Sequence, residues 1–161
     1  TFPWYKVNVD AAVFSHLGVT RIGVIIRDHF GSVVATLSKR LPLPLAPLEA
    51  EAKALDEATV FAWEIGVKDV IFETDSATVC HAVKSPTDAP VSISTVVSEL
   101  CSRLCEFRTF QASHLGHQGN KPAHILAAFA KNIDSFVTWM EERPPFLISA
   151  VSQDAMLFYA S

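Results

Sequence analysis

A chain of 161 residues, half of them apolar, is long enough for one domain with a real core and too short to expect two. Its formal net charge of -4 argues against holding nucleic acid by bulk electrostatics, though not against a local site or one domain of a larger basic protein. No apolar run approaches a transmembrane span and no leader of the secretory kind is present, so the expected setting is intracellular, in cytoplasm or nucleus. Strand-like sequence begins almost at once, a pattern compatible with a piece of a longer protein. Cys80, Cys101 and Cys105 make no disulfide framework, and no further metal ligands lie close to them in sequence. Buried, reduced thiols are expected. No basic run marks a strong patch; Arg21, Arg27, Lys39, Arg40, Lys121 and Lys131 are the scattered candidates for contacts to an anion.

Residues 4–10, WYKVNVD, alternate with Val7 and Val9 on one side and Asn8 and Asp10 on the other, which predicts a strand. RIGVIIR at 21–27 is a second, β-branched strand, and SVVATLSK at 32–39 returns after the turn DHFG as its antiparallel neighbour. AAVFSHLGVT joins the first strand to the second as another hairpin connection. Three prolines in LPLPLAPLE then enforce a stiff crossing loop. EAEAKALDEATVFAWEIG at 49–66 is a helix ended by Gly66, with the apolar stripe Leu55, Ala58, Ala62 and Ile65. One turn before Leu55 stands Glu51, so a carboxylate heads the face that packs on the sheet. VKDVIFETD at 67–75 suits a central strand, and SATVCHAVK a short helix capped by Asp75 or Ser76. After a turn at 85–90, Ile93, Val96, Val97, Leu100 and Leu104 predict a third helix, and FRTFQASHL at 107–115 the last strand.

GHQGNKPAHILAAFAK at 116–131 opens a fourth helix, with Asn120 as its cap, Pro122 in its first turn and Ala123, Leu126, Ala127 and Ala130 at helical spacing. It is expected to run on through Ile133, Phe136, Val137 and Met140 until Arg143-Pro144-Pro145 stops it. The tail FLISAVSQDAMLFYAS has no clear period. This order gives an α/β protein in the broad sense, an α+β arrangement of one five-stranded mixed sheet with helices on both faces. There are no internal repeats.

Three acids sit at element ends otherwise committed to burial: Asp10, Glu51 and Asp75. Gathered at one sheet they would repel one another and raise at least one pKa, unless a cation sat among them. An oxygen-only set suits Mg²⁺ or Mn²⁺ rather than Zn²⁺. Singly, each acid has another use: Asp75 as a helix cap, Glu51 as a helix former, Asp10 as a turn opener. His124 falls in the first turn of the fourth helix, where a cation is disfavoured, leaving a ring nitrogen free to accept a proton, a hydrogen bond or a metal. Alone it reads as a surface or half-buried residue without a task.

NVD at 8–10, IGVIIRDHFGSVV at 22–34, AEAKAL at 50–55, ETDS at 73–76 and GNKPAHILAAFAK at 119–131 resemble, in order and spacing, the ribonuclease H type 1 family. More narrowly they are similar to the plant ribonuclease H-like domain of non-LTR retroelement reverse transcriptases and its free-standing relatives. The resemblance implies a ribonuclease H-like domain over residues 4–132, with 133–161 as a helical extension and tail. It implies catalytic roles for Asp10, Glu51 and Asp75. His117 falls near the family's flexible-loop histidine, which assists proton transfer and product release, in a loop that is shortened here. His124 falls where active members carry a fourth acid; an AH pair is usual there in the plant group. Asp10-Ala11-Ala12 departs mildly from the glycine often found after the first aspartate.

The implied metal ligands are Asp10, Glu51, Asp75 and His124, holding two Mg²⁺ or Mn²⁺ ions during hydrolysis of the RNA strand of an RNA–DNA hybrid. The implied partners are that hybrid and an upstream reverse transcriptase domain, with the domain itself a monomer. His124 brings no negative charge, so the second ion should be held more weakly and Mn²⁺ favoured. A catalytically weak or inactive nucleic-acid-binding module is therefore the alternative. A strand-transfer or exonuclease relative would share the fold, but Glu51 on the helix argues against it.

Overall fold

Alternating β-branched residues build three long strands: β1 (Tyr5–Phe14), β2 (Val19–Arg27) and β3 (Val33–Leu41). The computed structural model describes residues 4–147. β1 pairs antiparallel with β2, with Val7 opposite Ile26 and Asp10 opposite Gly23, and β2 pairs antiparallel with β3. The turn between β2 and β3 closes because Asp28 Oδ1 accepts from the N–H groups of Phe30 and Ser32, while Gly31 takes φ 84°.

Pro47 ends the crossing loop as the first residue of α1 (Pro47–Glu64), where its missing N–H costs nothing. Next come β4 (Asp69–Thr74), α2 (Ala77–Lys84), α3 (Ser94–Leu104), β5 (Thr109–His114), α4 (Lys121–Phe129) and β6 (Phe136–Met140). β4 runs parallel to β1 and β5 parallel to β4, so the mixed sheet has the order β5-β4-β1-β2-β3-β6.

Helices cover both faces. α1, α2 and α3 bury Leu55, Ala58, Val79, Leu100 and Leu104 against Val7, Val9, Val70 and Phe72. α4 buries Ala123 and Leu126 against Ile25 on the other side, where Leu147 joins them. No described helix is long and apolar enough to cross a membrane.

Several expectations need correction. The fourth helix does not run on to Met140. It stops at Phe129, passes through a short 3-10 turn (Ala130–Asn132), and Ile133 is extended at φ -130° and ψ 155°. Residues 136–140 form a sixth strand, antiparallel to β3. Phe136, Val137 and Met140 fit helical spacing, but FVTWM is β-branched and aromatic, and its half-buried Val137 and Trp139 alternate with exposed neighbours, as a strand requires.

Asn120 makes no side-chain cap. The cap of α2 is Ser76, whose hydroxyl accepts from the Val79 N–H, and this leaves Asp75 free for other use. The three thiols are free as expected, but only Cys80 is buried. Cys101 is half-buried and Cys105, just past the end of α3, is exposed. Phe146 stacks on Phe129 at 4.3 Å; the rest of the tail, 148–161, lies outside the described residues.

Candidate metal and active site

The parallel register of β1 and β4 ends at the pair Val9–Thr74, and the next residue on each chain is an acid. Asp10 and Asp75 are thus set side by side by strand pairing alone. α1 packs its alanine-rich stripe on β1, with Ala50, Ala54, Leu55 and Ala58 buried, and carries Glu51 from its first turns to the same place. Asp10, Glu51 and Asp75 each bring a carboxylate oxygen within 4.8 Å of the other two.

So close a set is electrostatically expensive. Burial pushes the Glu51 carboxyl up to about 8, reinforced by the charges of Asp10 and Asp75, against which the Ala11 backbone N–H works weakly. Burial also raises Asp10, an effect opposed by its hydrogen bond to His124 and strengthened by the charge of Asp75. Glu51 Oε2 is buried with no hydrogen-bond partner. Three carboxylates gathered so closely, one of them with a buried oxygen that has no hydrogen-bond partner, make the donor set of a hard divalent cation, and the residues present fit Mg²⁺ or Mn²⁺.

Both histidines border this cluster through its acids. His124 Nδ1 lies 2.8 Å from Asp10 Oδ2, and His117 Nδ1 lies 3.2 Å from Asp75 Oδ2. The two rings stand edge to face at 5.4 Å. His124 therefore reaches the three-acid group through Asp10, one hydrogen bond away, and is not one of its members. His117 is well exposed, on the short 3-10 turn His117–Asn120 that leads into α4.

Residues 8–130 match the reverse transcriptase-like family. The chain belongs to that family. No curated protein matches this reverse transcriptase-like chain. Among solved structures it resembles RNase H1 of the halophilic archaeon Halobacterium salinarum at 21% identity and TM-score 0.74, covering 80% of this chain and 98% of that one. It also resembles the N-terminal RNase H domain of a Mycobacterium tuberculosis protein, solved as a fusion with maltose binding protein, at 15% identity and TM-score 0.72, covering 81% and 95%. A third likeness is to LC11-RNase H1, isolated from compost and solved in complex with an RNA/DNA hybrid, at 18% identity and TM-score 0.68, covering 81% and 97%. The fold of this reverse transcriptase-like domain is therefore RNase H-like.

Two residues that the sequence did not mark for the site position it: Gly23, and Asn120, which was expected only as a helix cap. Gly23, opposite Asp10, lies directly under α4: a Cβ there would meet Ala123 O at 2.0 Å, Ala127 N at 2.4 Å and Leu126 Cβ at 2.8 Å. Only glycine lets α4 come close enough to bring His124 to Asp10. Asn120 is buried, and its Nδ2 donates to the Val9 carbonyl at 2.8 Å, pinning the start of α4 to the strand residue before Asp10. The signal for Gly23 was visible as a glycine inside a β-branched strand.

The expected basic contacts fare unevenly in this fold. Arg27 is buried and donates to Asn8 Oδ1 at 2.6 Å, Lys39 is held by Glu57 at 2.7 Å, and Arg21 lies over the Phe14 ring. Lys121 and Lys131 are on the exposed surface at or near α4.

Proposed function

We propose that this chain is a metal-dependent endonuclease that hydrolyses the RNA strand of RNA–DNA hybrids by a two-metal mechanism. The observation that carries the reading is the convergence of three carboxylates, Asp10, Glu51 and Asp75, whose oxygens come within 4.8 Å of one another. The RNase H-like fold and the hybrid bound by LC11-RNase H1 support the choice of substrate. Asp10, Glu51 and Asp75 would hold two Mg²⁺ or Mn²⁺ ions during catalysis. When bound, such ions supply Lewis acidity at a scissile phosphate and lower the pKa of water beside it.

Asp10 is the acid of this cluster that also meets His124. The His124 hydrogen bond fixes the direction of Asp10 Oδ2 and adds a fourth polar group without the charge of a fourth acid. His117, exposed and bonded to Asp75, is placed to exchange a proton between solvent and the reacting strand and to ease release of a product carrying a 5′ phosphate. RNA would be chosen through 2′-hydroxyl contacts in a shallow minor groove. In the longer protein this domain would follow a reverse transcriptase domain, in a retroelement of the plant type.

The test is cleavage of an end-labelled RNA–DNA hybrid with Mg²⁺, with Mn²⁺ and with chelator. Cleavage confined to the RNA strand, dependent on either ion and lost in Asp75→Asn, is the expected result. Inactivity in both ions with micromolar hybrid binding would instead favour the binding module.

A further inference from the structure

β6 is the outer strand of the sheet on the β3 side. In the β3–β6 ladder Arg40 N–H donates to Ser135 O and Glu141 N–H donates to Val34 O. Antiparallel pairs alternate, so Val137 and Trp139 also bond inward, and Phe136, Thr138 and Met140 turn their N–H and C=O groups outward. Among the described residues no strand pairs with that outer edge. The same three side chains line a groove of about 410 Å³ whose opposite wall is Phe61 of α1 and Ile65 just past its end. Phe136 and Met140 are 59% and 50% exposed, large apolar surface that a protein does not ordinarily leave beside an open edge. FVTWM is short, but it has no lysine, no proline and no bulge to keep another strand from its edge.

The charges around the edge select its occupant. Glu64 lines the groove, and Asp134, Glu141 and Glu142 flank the strand; among the described residues no ion pair holds any of them, and of the nearby cations Lys39 is held by Glu57, while Arg40 sits opposite Ser135 and Arg143 follows Glu142. A second copy pairing antiparallel about Thr138 would set Asp134 of one copy opposite Glu142 of the other, carboxylate against carboxylate. A nucleic acid would meet the same acids.

We propose that the β6 edge accepts an extended protein segment as a seventh strand, with an apolar β-branched or aromatic centre and basic residues on both flanks. Its backbone pairs with Phe136, Thr138 and Met140, an alternate side chain enters the groove, and its flanks meet Glu64, Asp134, Glu141 and Glu142. The groove starts about 9 Å along α1 from Glu51 by helix rise, so a bound strand leaves the acid cluster open.

The probe is a labelled peptide, Lys-Arg-Val-Thr-Phe-Thr-Val-Arg-Lys, read by fluorescence anisotropy. It should bind in the micromolar range, and a version with glutamate and aspartate flanks should bind at least tenfold more weakly. Of two versions N-methylated on alternate central amides, one should lose at least tenfold and the other little, since only one set faces β6. Thr138→Pro removes an outward N–H that β3 does not use and should abolish binding. Met140→Lys, an exposed change that sets a cation in the groove, gives the same reading if the proline variant misfolds. No binding of the basic peptide up to about 1 mM, a concentration typical of the weakest specific contacts, would overturn the proposal. So would equal binding of the acidic or of both methylated peptides. A concentration-dependent dimer abolished by Thr138→Pro would assign the edge to a second copy and overturn it likewise.

Discussion

Glu51→Gln in the metal-free protein is the sharpest test of the acid cluster, because it separates charge from shape. Burial and the charges of Asp10 and Asp75 move the Glu51 carboxyl from its ordinary 4.5 up to about 8. The folded protein therefore keeps a proton that the unfolded chain gives up, and stability is lost as pH rises through that window. The gap is about 3.5 decades of proton affinity at about 1.4 kcal/mol each. Weighted by occupancy, the cost is about 1 kcal/mol at about pH 5 and about 4 kcal/mol at about pH 7.5. Part of the side chain faces solvent, so a fall of about 2 kcal/mol between the two pH values is the expected residue.

Glutamine keeps the shape and cannot ionise. Urea unfolding followed by tryptophan fluorescence in chelator, at both pH values, should show the wild type losing about 2 kcal/mol more than Glu51→Gln on going to the higher pH. Saturating Mg²⁺ or Mn²⁺ at the higher pH should restore the wild type and do far less for the variant, since the ion binds only the folded cluster. Parallel pH profiles for the two proteins would refute the reasoning: Glu51 would then be ionised without penalty, and the three carboxylates would not feel one another.

Gly23→Ala should destabilise the fold by about 3 kcal/mol in urea unfolding, because its methyl meets backbone atoms of α4 that have nowhere to move; a neutral effect would mean that α4 rides loosely on the sheet. Asn120→Ala removes the bond to the Val9 carbonyl and should cost about 1–2 kcal/mol, with hybrid cleavage falling more than stability does because α4 also holds His124. His124→Asp should lower metal-free stability by crowding Asp10, strengthen Mg²⁺ binding and raise Mg²⁺-dependent cleavage, with a smaller Mn²⁺ preference than the wild type shows. His124→Ala should lower cleavage in both ions, and equal rates for wild type and alanine would remove His124 from the mechanism.

The path from sequence to site was short for the acids and long for what surrounds them. Asp10 follows the apolar Val9, Asp75 follows the run VIFET, and Glu51 stands one helical turn ahead of Leu55, so periodicity put three carboxylates on elements facing one sheet, although β1 runs on to Phe14 and Asp10 lies inside it rather than at its end. What periodicity could not supply was register: the Val9–Thr74 pairing that sets Asp10 beside Asp75 is a contact between residues far apart in sequence. Asn120 was read locally as a cap because asparagine at a helix start ordinarily is one. Its side chain instead crosses to β1, a partner 111 residues away that no local rule can name. Phe136–Met140 failed for a different reason, since five residues of apolar sequence satisfy both periods and only the open edge of β3 decides between them.

The same comparison explains why His124 was legible as a position and not as a role. The sequence places it in a first helical turn, and Gly23 and Asn120 convert that position into a distance, 2.8 Å from Asp10 Oδ2. Neither touches the acids' oxygens, yet without the close approach that one permits and the tether that the other provides, the histidine would face solvent with nothing to act on. A hydrogen bond from imidazole to Asp10 works against the burial that raises that acid, and so helps keep it ionised in the absence of a cation. An aspartate at the same place would oppose ionisation there and depend on the metal to be tolerated. On the proposed two-ion reading the histidine would trade charge toward a second ion for a cluster less costly to fold when empty, and opposite movements of metal-free stability and Mg²⁺ binding in His124→Asp would be the signature of that exchange.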